Sequence, residues 1–115
     1  MEIGYFNPGI AKEFGVIEAV FLQMLFHAIQ DNREMCIVEH NTVWFPCAIN
    51  EWENYIDIWS ARQINRIVNN CLHNHTLALE HYDTDERRRR GWYAINPAIV
   101  PRLEETEQNI WCKQQ

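Results

Sequence analysis

The sequence predicts an α+β fold, because helical and strand periodicities alternate along its 115 residues. In several segments apolar residues recur every three or four positions, as on the buried face of a helix. In others, short apolar runs lie between polar turns, as in paired strands. With 47% apolar residues, the chain can form one compact core.

Two helices are predicted at the start of the chain. Asn7 and Pro8 are a cap and a proline at the first helical position, and Gly15 ends this short helix. After Gly15, apolar residues at helical spacing predict a longer second helix that reaches Ile29.

A small β-hairpin is predicted next. Its strands are residues 36–39 and 42–45. Pro46 is expected to end the second strand, because proline cannot donate a ladder hydrogen bond. A third helix is predicted over residues 48–57 from the helical spacing of its apolar side chains.

The clearest predicted helix begins at Ser60, a favourable N-cap, and ends at Leu72. Residues 77–80 and 92–95 then predict a second hairpin with a charged tip. Two helices joined by a short turn and followed by a hairpin form a winged helix-turn-helix. The sequence therefore predicts this fold, with four to five helices and two small hairpins.

One domain is expected over residues 1–103. The acidic residues that follow predict a C-terminal tail, 104–115, that forms a short helix or frays. The chain starts without the basic region and long apolar stretch of a secretory signal, and it shows no membrane span. We therefore expect a cytoplasmic protein of a bacterial host cell that does not engage a membrane.

Charge is unevenly distributed along the chain. The formal net charge is −6, which disfavours nucleic acid at first sight because duplex binding depends on neutralised phosphates. Residues 60–90, however, sum to +2, so the rest of the chain carries −8.

The residues also resemble the N-terminal winged-helix domain of phage replisome organiser and replication initiation proteins. The resemblance is carried, in order, by Asn7 to Gly15, Glu18-Ala19, Leu22-Gln23, Trp44-Phe45, Glu51-Trp52, Trp59-Ser60, Arg62, Ile64, Arg66-Ile67, Leu72, Leu77 and Trp92 to Ile95. It implies a winged helix that longer relatives follow with a region engaging the host replication machinery. The family usually has glycine after the recognition helix, and here Asn74 is expected to supply the left-handed residue.

The exposed face of the predicted recognition helix suits DNA. Arginine can contact guanine bidentately, and asparagine or glutamine can contact adenine. The candidate DNA contacts are Ser60, Arg62, Gln63, Asn65, Arg66 and Asn69. The alternative is that these side chains only solvate an exposed helix face.

The predicted wing, residues 80–91, carries a run of arginines. Arg87, Arg88, Arg89 and Arg90 could bind a phosphate backbone or enter a minor groove. The alternative is a self-paired tip, because acidic residues precede the run within the same turn.

Catalytic and metal sites are not predicted. The four cysteines, Cys36, Cys47, Cys71 and Cys112, are interpreted as free thiols, and their spacing to the histidines matches no common zinc site. No nucleophile motif is present. We expect no cofactor, no metal and no enzymatic activity.

Two functions follow as hypotheses. The favoured one is a phage or prophage protein that binds double-stranded DNA, where a palindromic site would call for a homodimer. The alternative is a phage-encoded inhibitor, such as an anti-CRISPR or host-takeover factor, whose acidic surface mimics nucleic acid toward a CRISPR nuclease or replication factor. Its candidate interface is Trp111 with Glu104, Glu105 and Glu107. The other four tryptophans are expected to pack in the core.

Overall fold

The computed structural model describes residues 6–82 and 90–114, with side chains described as far as residue 108. Within this part of the chain, five α-helices and one four-stranded antiparallel sheet confirm the α+β class. The helices are α1 (Pro8–Phe14), α2 (Val16–Asp31), α3 (Trp52–Tyr55), α4 (Ala61–His73) and α5 (Val100–Gln114). The strands are β1 (Ile37–Glu39), β2 (Thr42–Cys47), β3 (Leu77–Glu80) and β4 (Gly91–Ile95). This order is compatible with a winged-helix-like arrangement.

The predicted boundaries of α1 are confirmed. The Asn7 side chain accepts a hydrogen bond from the backbone N–H of Ile10 at 3.0 Å, as an N-cap does. Gly15 separates α1 from α2 with a φ of 114°. Because side chains rarely adopt this backbone conformation, glycine is the residue that permits the sharp junction.

Helix α2 is the centre of the core. Ten of its sixteen residues are buried, so it is apolar around most of its circumference rather than along one stripe. It packs against α1, α4 and α5. Phe21, Leu22 and Leu25 are fully buried, and each such side chain stabilises the fold by roughly 1.5 to 3 kcal/mol.

The two predicted hairpins form a single sheet with the strand order β1-β2-β4-β3. Phe45 pairs with Tyr93, and Cys47 pairs with Gly91, so β2 joins the hairpins. Pro46 lies inside β2, and the prediction that it ends the strand is wrong. Proline is tolerated there because β1 pairs with β2 only as far as Trp44, which leaves one side of β2 open at Pro46.

The third predicted helix is shorter than expected. A 3-10 helix (Ile49–Glu51) precedes α3, which has a single turn. No side chain at Ala48 can cap it, and the Glu51 carboxylate instead accepts from the Ala48 N–H at 3.1 Å. The Trp52 ring, fully buried, lies 5.7 Å from the Phe21 ring and 5.1 Å from the Tyr93 ring. This packing fixes α3 between α2 and the sheet.

The acidic residues after Leu103 belong to a helix that begins at Val100. Pro101 lies in the first turn of α5, where its missing N–H would have had no helical partner. The Gln23 side chain of α2 donates to the Leu103 carbonyl at 3.1 Å and to the Glu107 carboxylate at 3.0 Å. The domain boundary expected after Leu103 therefore falls inside a 15-residue helix that is bonded to α2.

Helix α4 ends at a left-handed residue, which is His75 with a φ of 65°. The His75 N–H donates to the Leu72 carbonyl, and the Thr76 N–H donates to the Cys71 carbonyl. These two bonds form a Schellman motif. The expectation for Asn74 is wrong, because its φ is −89° and its side chain accepts from Thr76 instead.

Asn96 joins this helix end to the turn before α5. Its N–H donates to the Thr76 carbonyl at 2.9 Å, and its side chain donates to the His75 carbonyl at 3.1 Å. The same side chain accepts from the Ala98 N–H at 2.9 Å. One asparagine therefore satisfies backbone groups on both segments.

We expect His75→Gly to stabilise the protein by about 1 kcal/mol, because glycine adopts the left-handed conformation without the cost that a side chain incurs. Urea unfolding measures the change. His73→Gly is the matched control, since His73 is in the last helical turn and glycine there should cost about 1 kcal/mol. Destabilisation by His75→Gly would contradict the Schellman assignment.

Candidate nucleic-acid interface

Helix α4 begins with a capping box. The Gln63 N–H donates to the Ser60 hydroxyl at 3.2 Å, and the Ser60 N–H donates to the Gln63 side-chain oxygen at 2.9 Å. The predicted N-cap is thus confirmed. Both side chains stay exposed, but each already has a structural partner at the helix start.

The face of α4 opposite the core presents two free cations. Ile64, Ile67, Val68 and Cys71 are buried. Arg62, Arg66 and Asn69 are exposed, whereas Asn65 is half-buried. Among the described residues, neither Arg62 nor Arg66 has a salt-bridge partner. Within residues 6–82 and 90–108, no carboxylate therefore competes with a ligand for their guanidinium groups.

The start of α4 lies near the end of the β3–β4 hairpin that is formed by Glu80 and Gly91. Cys47 at the end of β2 pairs with Gly91 at the start of β4, and Glu53, six residues further along the chain, accepts a hydrogen bond from the Ala61 N–H at the start of α4. Arg90, immediately before β4, lies over the Trp92 ring at 5.3 Å. Burial raises the pKa of the Tyr55 hydroxyl, and Arg90 opposes the rise. Arg87, Arg88 and Arg89 lie outside the described residues.

Two carboxylates from other elements approach α4, and sequence reasoning missed both. The Ala61 N–H donates to the Glu53 carboxylate of α3 at 2.6 Å. At the other end, the Asn70 amide donates to the Glu18 carboxylate of α2 at 3.5 Å. Glu53 lies eight residues before Ala61, and the packing of α3 against the start of α4 is what reveals it. Only the packing of α2 on α4 reveals Glu18.

The outer face of the sheet carries an aromatic cluster of Trp44, Tyr82 and Trp92. The Tyr82 ring makes edge contacts with Trp44 at 5.9 Å and Trp92 at 5.8 Å. Its hydroxyl donates to the Glu39 carboxylate at 3.1 Å. The Tyr82 side chain therefore reaches across the outer face of the sheet from the end of β3 toward β1.

The tryptophans differ in burial. Trp52 and Trp92 are buried, whereas Trp44 and Trp59 are half-buried against the core or the aromatic cluster. The side chain of Trp111 lies beyond the described ones. Of the acidic residues predicted beside it, Glu104 and Glu105 are exposed.

Glu107 has a structural role. Besides the Gln23 amide, its carboxylate lies 3.7 Å from a His27 ring nitrogen, and His27 lies 3.2 Å from Asp31. Glu107 is half-buried and links α5 to α2. It is therefore less accessible to a partner than Glu104 or Glu105.

The described thiols are free and poorly suited to nucleophilic chemistry. Burial raises the pKa of Cys36 and Cys47, and it raises that of Cys71 to about 11. A nucleophilic cysteine needs the opposite shift. In residues 6–82 and 90–108, no three His, Cys, Asp or Glu side chains are grouped to hold a metal ion.

None of the helices in the described part of the chain has both the length and the apolar character needed to cross a bilayer.

Comparison with known proteins identifies no relative. No family model, curated protein or solved structure matches the chain. The resemblance to phage replication proteins therefore stays a prediction.

We expect Ser60→Ala to destabilise the protein by about 1 kcal/mol, because the N–H of Gln63 loses its acceptor. Chemical unfolding checks the change. Ser60→Asp restores a capping oxygen and should retain most of the stability. Equal stability of Ser60→Ala and the original protein would show that the capping box contributes nothing.

Proposed function

We propose that this protein is a winged-helix protein of phage or prophage origin that binds double-stranded DNA without catalysing a reaction. Helix α4 enters the major groove, and the β3–β4 hairpin contacts the phosphate backbone. The observation that carries this proposal is the pair of exposed arginines, Arg62 and Arg66, which have no salt bridge in the described part of the chain.

The geometry supports a binding edge at one end of the molecule. Arg62 and Arg66 are one helical turn apart and face the same side of α4. Arg90 immediately precedes β4, whose first residue pairs with Cys47 at the end of β2. Two guanidinium groups spaced along a helix can each reach a guanine edge or a phosphate.

Glu53 restricts how DNA is bound. In many complexes the free N–H groups of a helix start bind a phosphate, but here Glu53 already accepts from the Ala61 N–H. A phosphate at this point would meet a carboxylate. DNA contacts are therefore made by the side chains of Arg62 and Arg66, with Asn65 and Asn69 further along the helix.

We expect Arg66→Ala to weaken duplex binding by about 1 to 3 kcal/mol if Arg66 contacts a base edge. If it contacts a phosphate instead, the loss is uniform across sequences and the salt slope falls by about 1. Fluorescence anisotropy with random and selected duplexes, titrated in salt, separates these two results. Lys12→Ala is the control, since Lys12 is an exposed cation on α1.

The proposal fails if the protein binds no duplex even at low salt. It also fails if Arg62→Ala and Arg66→Ala leave both the affinity and the salt slope unchanged.

A second candidate is a protein-binding inhibitor that acts on a nuclease or replication factor. The exposed carboxylates of Glu104 and Glu105 on α5 support it, because an acidic helix face can occupy a basic nucleic-acid channel.

If this second function holds, binding to a purified candidate nuclease should be weakened at least tenfold by Glu104→Lys with Glu105→Lys, since close like charges cost more than about 1.4 kcal/mol. Arg62→Ala with Arg66→Ala should leave it unchanged. The reverse pattern would exclude the acidic face as the interface. Surface plasmon resonance measures both.

A further inference from the structure

A groove lies between α2, the β1–β2 hairpin and the start of α5. Its volume is about 310 Å³, at the small end of the range of roughly 300 to 1,000 Å³ that is typical of small-molecule sites. Its lining includes the apolar residues Phe26, Ile29, Val43, Ile95 and Val100, which form the floor referred to below, and the polar residues Gln30, Asn41 and Thr42. Three of these, Phe26, Ile29 and Ile95, are core residues that show only 4 to 6% of their surface.

The groove is remote from the candidate DNA edge. It opens beside Ile95 and Pro97, at the end of β4, whereas Arg90 precedes the start of that strand. A ligand in the groove would not touch Arg62 or Arg66. Binding there can therefore be tested without DNA.

The rim carries one cation and one anion on different elements. Arg33 follows α2, and Glu104 lies on α5. Both side chains are exposed, and neither forms a salt bridge with any described residue. The rim can thus pair with a ligand that carries both charges.

We propose that this groove binds a free α-amino acid with an aromatic or branched apolar side chain. The apolar side chain rests on the Phe26 and Ile29 floor. The ligand carboxylate faces Arg33, whose planar guanidinium can donate two parallel hydrogen bonds. The ligand ammonium faces Glu104.

The charges of the rim select against simpler ligands. An apolar monocarboxylate would leave Glu104 facing a second anion or no partner. An apolar amine would leave Arg33 facing a second cation or no partner. A plain hydrocarbon would gain only from the floor. Charge complementarity therefore favours the zwitterion over either single ion.

The experiment is an NMR titration of the full chain with L-phenylalanine. The comparison ligands each lack one feature: 3-phenylpropionate has no ammonium, phenethylamine has no carboxylate, glycine has no apolar side chain, and N-acetyl-phenylalanine amide has neither charge. We expect saturable shifts around the groove with L-phenylalanine. Binding should be about fivefold weaker or worse for the ligands that lack a charge, the size of one partly screened ion pair, and weaker also for glycine, which loses the apolar contact.

Variants assign the two charges. Arg33→Gln and Glu104→Gln should each weaken L-phenylalanine binding by about fivefold. Arg33→Gln should not weaken phenethylamine binding, and Glu104→Gln should not weaken 3-phenylpropionate binding. Glu105→Gln and Lys12→Gln are matched controls that remove an exposed charge outside the groove lining, and they should change nothing. Circular dichroism confirms that each variant is folded.

Three results would overturn the proposal. The first is the absence of saturable shifts with L-phenylalanine. The second is equal binding of N-acetyl-phenylalanine amide, which would indicate that the groove takes an uncharged apolar segment of a partner chain. The third is equal weakening of L-phenylalanine binding by Glu104→Gln and Glu105→Gln, which would show that the effect comes only from the net charge of the protein.

Discussion

The packing of Trp52 between Phe21 and Tyr93 is the contact on which the rest of the arrangement depends. It joins α2, α3 and β4 through three aromatic rings in the fully buried part of the core. Since α3 is a single turn, its position cannot come from its own backbone hydrogen bonds and must come from this burial. The turn that follows α3 then determines where α4 begins. Loss of the indole would free α3 and, with it, the start of α4.

Local signals in the sequence were sufficient for the start of α1, the junction between α1 and α2 and the start of α4, but not for the end of α4. Asn7, Gly15 and Ser60 act through hydrogen bonds and backbone angles within a few residues of themselves, so their roles could be predicted. The pairing of β2 with β4 could not, because it joins residues almost fifty positions apart. The prediction that Pro46 ends β2 was wrong for the same reason. A proline is tolerated inside β2 because the pairing with β1 reaches only to Trp44.

On the candidate binding face, too, the local features could be predicted from the sequence and the contacts between elements could not. The exposure of Arg62 and Arg66 follows from the apolar stripe on the other side of α4, and the spacing predicted it. The carboxylates of Glu53 and Glu18 arrive from α3 and α2, and Glu18 depends on packing that helical periodicity does not encode. A face that contains only cations and amides in sequence is therefore bordered by anions in space. If the proposed DNA binding holds, these anions partly cancel the nonspecific attraction to phosphate and leave more of the affinity to specific contacts.

The hydrogen bonds of Asn96 connect the positions of three helices. Its hydrogen bonds tie the backbone that leaves α4 to the turn that starts α5, and α5 is in turn bonded to α2 through Gln23. A tilt of α4 would therefore strain the hydrogen bonds at His75 and Thr76. These bonds couple the C-terminal end of α4 to the turn before α5 and, through Gln23, to α2.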